Sequence, residues 1–300
     1  MTTDSARPRF GRVLTAMVTP FAADGSLDLV AAGELAKWLV DNGNDGLVIA
    51  GTTGESPALS HQEQEDLIRA VVEAVDVPVV AGAGSNNTSA AIDLTERSQR
   101  AGATGILHVA PYYNRPNQGG LERHFRSVAA ATDLPIIVYD IPGRTGRKVN
   151  TDTILRLASD VPNITGLKDA AGSPAETAWL IAQAPEDFEV YSGDDVLTLP
   201  LLAVGAVGTI GVATHWTGAE HQQMFDALDA GDLAKAAEIN RRMLPSFHFE
   251  TGDEAPNPIP SKAMLRLLGL NVGHCRPPMD FEPEGLTERA REVLAGTSLG

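Results

Sequence analysis

Eight short apolar runs recur along this chain, and each is followed by a longer stretch with apolar residues every three or four positions. The runs are VLTAMVTP (13–20), GLVIAG (46–51), VPVVAG (77–82), GILHVA (105–110), PIIVYD (135–140), ITGLKD (164–169), FEVYSGD (188–194) and VGTIGVA (207–213). Their length and β-branched content predict strands, and the 3.6-residue period between them predicts helices. The expected helices are Leu27–Asn42, His61–Val75, Thr88–Ala101, Leu121–Ala131, Thr151–Ala158, Ala175–Gln183, Val196–Val204 and Ala219–Leu228. Strands that alternate with helices pair in parallel and are covered on both faces. Eight such units suit a closed (β/α)8 TIM barrel, an α/β architecture. An open doubly wound sheet is the alternative. No strand is followed by the Gly-x-Gly-x-x-Gly turn of a dinucleotide fold, and GAGSNN (82–87) has only the first two glycines.

After residue 230 the alternation stops. Helices alone are expected, at Asp232–Met243, Ser261–Leu268 and Thr287–Leu294, with the Pro-rich joint EAPNPIP (254–260) before the second. The chain thus divides into a barrel, residues 1–230, and a C-terminal helical domain, residues 231–300.

Charge and cysteine usage narrow the partners. A formal net charge of −16 repels phosphate backbones, so nucleic acid is not expected as a partner. No apolar run is long enough to span a bilayer, so no membrane association is expected. The start, MTTDSARPRFGR, has no apolar signal core. The single cysteine, Cys275, excludes an intrachain disulfide and fits a reducing cytoplasm. The seven histidines (61, 108, 124, 215, 221, 248, 274) show no i,i+4 or H-x-H spacing, so no metal site is expected.

Of 23 basic residues only five are lysines: Lys37, Lys148, Lys168, Lys235 and Lys262. In a (β/α)8 barrel the chemistry sits at the C-terminal ends of the strands. Lys168 alone combines that position with an apolar approach. It is either paired with Asp169 or another acid, or it is a nucleophile. A lysine attacks a carbonyl only when neutral, and a barrel tip supplies the desolvation that lowers its pKa.

Other strand ends carry further polar groups. GTTGES (51–56) offers glycines for a tight turn, with N–H groups and two hydroxyls suited to a carboxylate. PYYNRP (111–116) presents adjacent tyrosines, and YDIPGRTG (139–146) a tyrosine and an arginine. Tyr139 either caps the core or relays protons, and Arg144 is either a surface ion-pair residue or a bidentate carboxylate holder. The paired acids of SGDD (192–195) read best as a helix cap. Lys, Thr, Tyr and Arg on one rim are what carbonyl addition to an α-keto acid needs. A metal-dependent aldolase and a barrel kept for binding alone are the rival readings.

At this point the chain resembles the dihydrodipicolinate synthase/N-acetylneuraminate lyase family of class I aldolases. GTTGES, PYYNRP, YDIPGRTG, GLKDA, YSGDD (191–195) and PNPIPSK (256–262) stand in that family's order, and the similarity runs from LTAMVTPF (14–21) to the tail. The resemblance implies a Schiff base between Lys168 and pyruvate, with no cofactor. It implies a proton relay of Tyr139, Thr53 and Tyr113, the last from a neighbouring subunit. Thr52 and Thr53 would hold the pyruvate carboxylate, Arg144 that of L-aspartate 4-semialdehyde, and the Ile210 carbonyl would face the imine. Thr52 and Arg144 favour the synthase branch over the sialic-acid lyase branch; sugar-acid aldolases remain the alternative. A homotetramer, as a dimer of dimers, is implied too. Members inhibited by lysine have an effector site that Ser56, His61, Asn86 and Tyr112 match, but Ala90 replaces its acid and Gln64 a histidine.

Overall fold

A computed structural model describes residues 8–300; the first part of the MTTDSARPRFGR segment lies outside the described residues. The eight expected strands all form. They are β1 (Val13–Ala16), β2 (Gly46–Ile49), β3 (Val79–Gly82), β4 (Gly105–Val109), β5 (Ile136–Asp140), β6 (Ile164–Asp169), β7 (Glu189–Ser192) and β8 (Gly208–Gly211). Each pairs in parallel with the next, and β8 closes on β1 through Val13–Thr209 and Leu14–Ile210. The fold is therefore the closed barrel, and the open sheet is excluded.

Helices cover the barrel. They are α1 (Leu29–Asp41), α2 (His61–Ala74), α3 (Thr88–Arg100), α4 (Gln118–Ala129), α5 (Pro142–Thr145), α6 (Thr151–Asp160), α7 (Pro174–Ile181), α8 (Thr198–Leu202) and α9 (Thr214–Asp229). The tail adds α10 (Leu233–Phe249), α11 (Ile259–Leu267) and α12 (Leu286–Leu294). Side-chain caps set many of the starts. Ser60 and Glu63 form a reciprocal capping box at α2, and Asn87, Asn117 and Asp232 cap α3, α4 and α10.

Four expectations need correction. The eighth barrel strand is followed by a helix that begins at Thr214, five residues before the expected Ala219; Thr217 is non-helical (φ −123°, ψ 20°), which breaks the period at that point. The helix expected over Val196–Val204 is instead a 3-10 turn, Asp195–Leu197, leading into the short α8. Helix α10 runs six residues past the expected Met243, carrying Pro245 inside it. Helix α5 was not expected at all, because Pro142 and Gly143 read as a turn; Pro142 sits at the helix start, where its missing N–H costs nothing.

Three apolar layers hold these elements. Inside the barrel, Leu14, Val48, Val80, Leu107, Ile137, Tyr139, Tyr191 and Ile210 pack together. A larger cluster lies between strands and helices, from Leu35 and Leu39 of α1 to Leu157 of α6. The tail docks on α9 through Trp216, Met224, Ile239, Met243, Phe247 and Met264, and the Trp216 indole donates to Ser246 Oγ at 2.9 Å. This places the segment between α10 and α11 over the C-terminal face of the barrel, where the loops after β2, β5, β6 and β7 also converge.

Candidate active site

Those loops enclose a cavity of about 250 Å³. Lys168, Tyr139, Thr52, Thr53 and Arg144 all line it, so one site gathers five residues spread over more than 100 positions of sequence. Glu250 and Asn257 of the tail line it as well.

Lys168 is the penultimate residue of β6 and is 4% exposed. Its Nζ lies over the Tyr139 ring, 4.4 Å from the centroid. Tyr139 and Lys168 are direct cross-strand partners on β5 and β6, which is why they meet. Asp169 is taken up elsewhere: its carboxylate accepts from Thr177 Oγ1 at 2.6 Å and from the Ala171 N–H at 2.9 Å. Among the described residues no acid lies within ion-pair distance of Lys168, so the paired-lysine alternative falls away. Burial lowers the Lys168 pKa to about 8, against the opposing pull of Asp195 and Glu250 and with a smaller downward push from Arg144. A glycine makes room for the long side chain, since a Cβ on Gly193 would come within 2.8 Å of Lys168 Cγ.

Keeping this amine out of water has a thermodynamic consequence. A folded pKa about 2.5 below the ordinary lysine value destabilises the native state by about 3 kcal/mol at pH values below 8, and the penalty fades as pH rises toward 10.5. The rest of the barrel offsets it.

Tyr139 belongs to the inner core and also faces the cavity. Burial raises its pKa above the ordinary phenol value, and Arg144 partly counters that. Arg144 projects from α5 to the cavity rim and is exposed, with no acid in ion-pair range among the described residues. A free guanidinium at a cavity mouth is available to a carboxylate.

The GTTGES turn is held by unusual backbone. Ala50 and Glu55, on either side of the threonines, have φ of 56° and 55°, a left-handed conformation that side chains resist. Thr53 is buried, and its hydroxyl accepts from Asn257 Nδ2 at 2.9 Å. No hydrogen bond joins Thr53 to Tyr139 among the described residues; the hydroxyl is tied to the tail instead. Asn257, in the PNPIPSK segment, thus supports the site, and only its presence in that motif pointed to it beforehand.

Two candidates lie outside the cavity. Ile210 is fully buried in the inner core, while Val212 beyond it forms the cavity wall. Tyr113 is 89% exposed on the loop after β4, with φ 72°, and Arg115 beside it has φ 46°. Glu250 is the site residue that the sequence did not signal at all: it follows an amphipathic helix in a polar stretch, and nothing local distinguishes it from solvated acids. Asp194 is a cap as expected, accepting from the Val196 N–H at 3.2 Å. Among the described residues no three His, Cys, Asp or Glu side chains are grouped as a metal ion needs.

The profile of the dihydrodipicolinate synthetase family matches residues 9–294. The 4-hydroxy-tetrahydrodipicolinate synthase of Symbiobacterium thermophilum is 51% identical over 290 residues, covering 96% of this chain and 98% of that one. The dihydrodipicolinate synthase of Cyanidioschyzon merolae, solved with lysine bound, superposes with a TM-score of 0.95 at 42% identity, covering 98% of this chain and all of that one. A synthase variant described as monomeric superposes with a TM-score of 0.92 at 36% identity, covering 96% of this chain and 97% of that one.

The depressed Lys168 pKa has a direct readout. Carbamylation of Lys168 by cyanate, followed by peptide mass spectrometry, should be fastest above pH 8 and fall tenfold per pH unit below it. A rate that goes on rising to pH 10, as for an ordinary lysine, would contradict the desolvated amine.

Proposed function

The chain belongs to the dihydrodipicolinate synthetase family, and we propose that it condenses pyruvate with L-aspartate 4-semialdehyde to 4-hydroxy-tetrahydrodipicolinate, on the route to diaminopimelate and lysine. The observation that carries this reading is the unpaired, buried Lys168 at the mouth of β6, facing Tyr139 and Arg144 across one cavity.

The chemistry runs without a cofactor. Neutral Lys168 attacks the pyruvate ketone, and the nitrogen's proton passes to the oxygen to give a carbinolamine. Loss of water leaves an imine, which acts as an electron sink. A C3 proton leaves, and the resulting enamine adds to the aldehyde. The substrate's amine then closes the ring and releases Lys168. Thr52 and the turn N–H groups hold the pyruvate carboxylate, and Arg144 holds that of the aldehyde. Tyr139 positions protons above the amine, and the carbonyl of Ile210 faces the imine from β8.

Residues 1–230 act as the catalytic barrel in this reading, and residues 231–300 as a helical domain that closes it. The enzyme works as a homotetramer, a dimer of dimers, in which Tyr113 completes a neighbour's relay. An exposed aromatic side chain on strained backbone supports that role, since a loop held in this way has no use for the ring within its own chain. Location in the cytoplasm rests on the lone unpaired Cys275 and the biosynthetic role; among the described residues no helix is long and apolar enough to cross a membrane.

Lysine control is weak or absent in this reading. Ala90 brings no charge to the place of the effector-site acid, and the nearby acids are already engaged. Asp93 bonds His61 Nδ1 at 2.8 Å and Arg97 at 2.9 Å. Glu63 bonds Arg276 at 2.6 Å, which holds its carboxyl down at about 2.

Three outcomes are expected. Borohydride reduction with pyruvate should place the adduct on Lys168; Arg144→Ala should leave that labelling intact while lowering turnover of the aldehyde at least tenfold, as loss of a charge-assisted contact worth about 1.5–3 kcal/mol requires. Label on another lysine would overturn the mechanism. Mixing Tyr113→Phe with Lys168→Ala subunits should restore activity that neither has alone; confirmed exchange without recovery would mean each chain works by itself. Lysine titrated at saturating pyruvate should inhibit roughly 5- to 150-fold more weakly than a pocket with its acid would allow, since an unpaired ammonium costs about 1–3 kcal/mol. A sub-millimolar, cooperative response would contradict the loss of the site.

A further inference from the structure

Directly behind Tyr139 and Lys168 stands a second pair of cross-strand partners, Asp140 on β5 and Asp169 on β6. Side chains alternate along a strand, so the first pair meets at the cavity and the second faces the helices. Both acids are buried, and with Lys148, Glu176 and Thr177 they line a small cavity between the strand ends and α6 and α7. Asp169 is taken up by Thr177 and the Ala171 N–H. Asp140 holds a different segment. Its Oδ1 accepts the Val149 N–H at 3.1 Å, and its Oδ2 lies 3.4 Å from Lys148 Nζ. The same Nζ lies 3.0 Å from Glu176 Oε2 of α7. Burial pushes the Asp140 pKa up to about 6, with Val149 and Lys148 countering, so the group is a carboxylate at neutral pH.

Asp140 therefore ties the end of β5 to residues 148 and 149, and the loop so closed is the one that carries Arg144. Inside the loop the chain is bonded to itself. Thr145 Oγ1 lies 3.1 Å from the Ile141 carbonyl and 2.9 Å from that of Arg147, and the Gly146 N–H donates to the Pro142 carbonyl at 2.9 Å. Such a segment shifts as one piece when its base moves. Gln118 of α4 donates to the Lys148 carbonyl at 2.9 Å and grips the loop from outside. Toward the loop after β4 the contacts are long: the Tyr113 N–H to the Thr145 carbonyl and Arg147 Nη2 to the Arg115 carbonyl, both at 3.3 Å. The Asp140 carboxylate is the side chain that fixes the loop to the strand bearing Tyr139.

We propose that Asp140, paired with Lys148, is a positioning residue that sets Arg144 at the cavity mouth for the carboxylate of the aldehyde substrate. This rests on the role given to Arg144 above. A carboxylate suits the task because both of its oxygens accept, one from a backbone N–H and one from an ammonium. An asparagine of the same shape has one accepting oxygen. Its amide nitrogen would face either Val149 N–H or Lys148 Nζ, donor against donor. The loop base then loosens, while Lys168, on the other face of the neighbouring strand, keeps its own surroundings.

The test compares two steps in the full-length enzyme: borohydride trapping with pyruvate alone, and kcat/KM for L-aspartate 4-semialdehyde at saturating pyruvate. Asp140→Asn should trap pyruvate at the wild-type rate and lose on the order of tenfold in kcat/KM for the aldehyde, chiefly through KM. Lys148→Met should do the same, and Lys148→Arg should recover most of the loss. Because Asp140 acts through Arg144, adding Asp140→Asn to Arg144→Ala should lower kcat/KM by no more than about twofold further. Arg144→Ala alone is the control: wild-type use of the aldehyde by that variant would overturn the role of Arg144 and this inference with it. If Arg144→Ala is impaired but Asp140→Asn is not, or Asp140→Asn slows trapping as much as aldehyde use, or the two losses multiply in the double variant, the positioning role is wrong and that of Arg144 stands. Should Asp140→Asn fail to fold, Lys148→Met, whose side chain is partly exposed, carries the same comparison with the same outcomes.

Discussion

A buried ion pair joins the barrel to its tail. Lys262 Nζ lies 2.7 Å from Glu55 Oε1, with Lys262 fully buried and Glu55 4% exposed. Lys262 also donates to the His274 carbonyl at 2.9 Å and sits 4.2 Å from the Phe21 ring centroid. Glu55 Oε2 accepts the Arg276 N–H at 2.8 Å. Loops after β1 and β2 are thereby fixed to the start of α11. Burying both charges costs several kcal/mol each, and their attraction returns that only when geometry is good. The gain is positional: this pair holds Glu55 left-handed at the end of the threonine turn and brings Asn257, five residues before Lys262, onto Thr53.

Everything in the cavity follows from that closure. With the tail in place, Lys168 and Tyr139 are cut off from water, and each shifts toward its neutral form for the same reason. The tail brings Glu250 in with it. A desolvated lysine without a counter-ion is a poor structural element and a good nucleophile.

The β/α alternation was legible because each strand is short, apolar and β-branched, and each helix repeats at 3.6 residues. The failures came where distant contacts override local signals. Pro245 should end α10, yet the helix persists because Met243, Ser246 and Phe247 are buried against α9. The helix after β7 is shortened because Asp194 and Asp195 turn the chain into a 3-10 cap. Of the site, Lys168, Tyr139, Thr52, Thr53 and Arg144 could be read from strand ends, since a barrel gathers those ends on one face. Glu250 could not, for it reaches the cavity from a helix far along the tail.

The sequence alone determined the barrel, because the spacing of apolar residues dictates which faces must be buried, and it determined which residues stand at the strand ends. Whether those residues are reactive was decided by tertiary structure. Asp169 is adjacent to Lys168 in sequence, but the β-strand turns their side chains to opposite faces, and Thr177 and the Ala171 N–H occupy the acid. The lysine's neutrality depends on water being excluded by segments far away in sequence, such as the turn after β2 and the end of α10. Desolvation is a property of the assembled cavity, and no local stretch of sequence carries it.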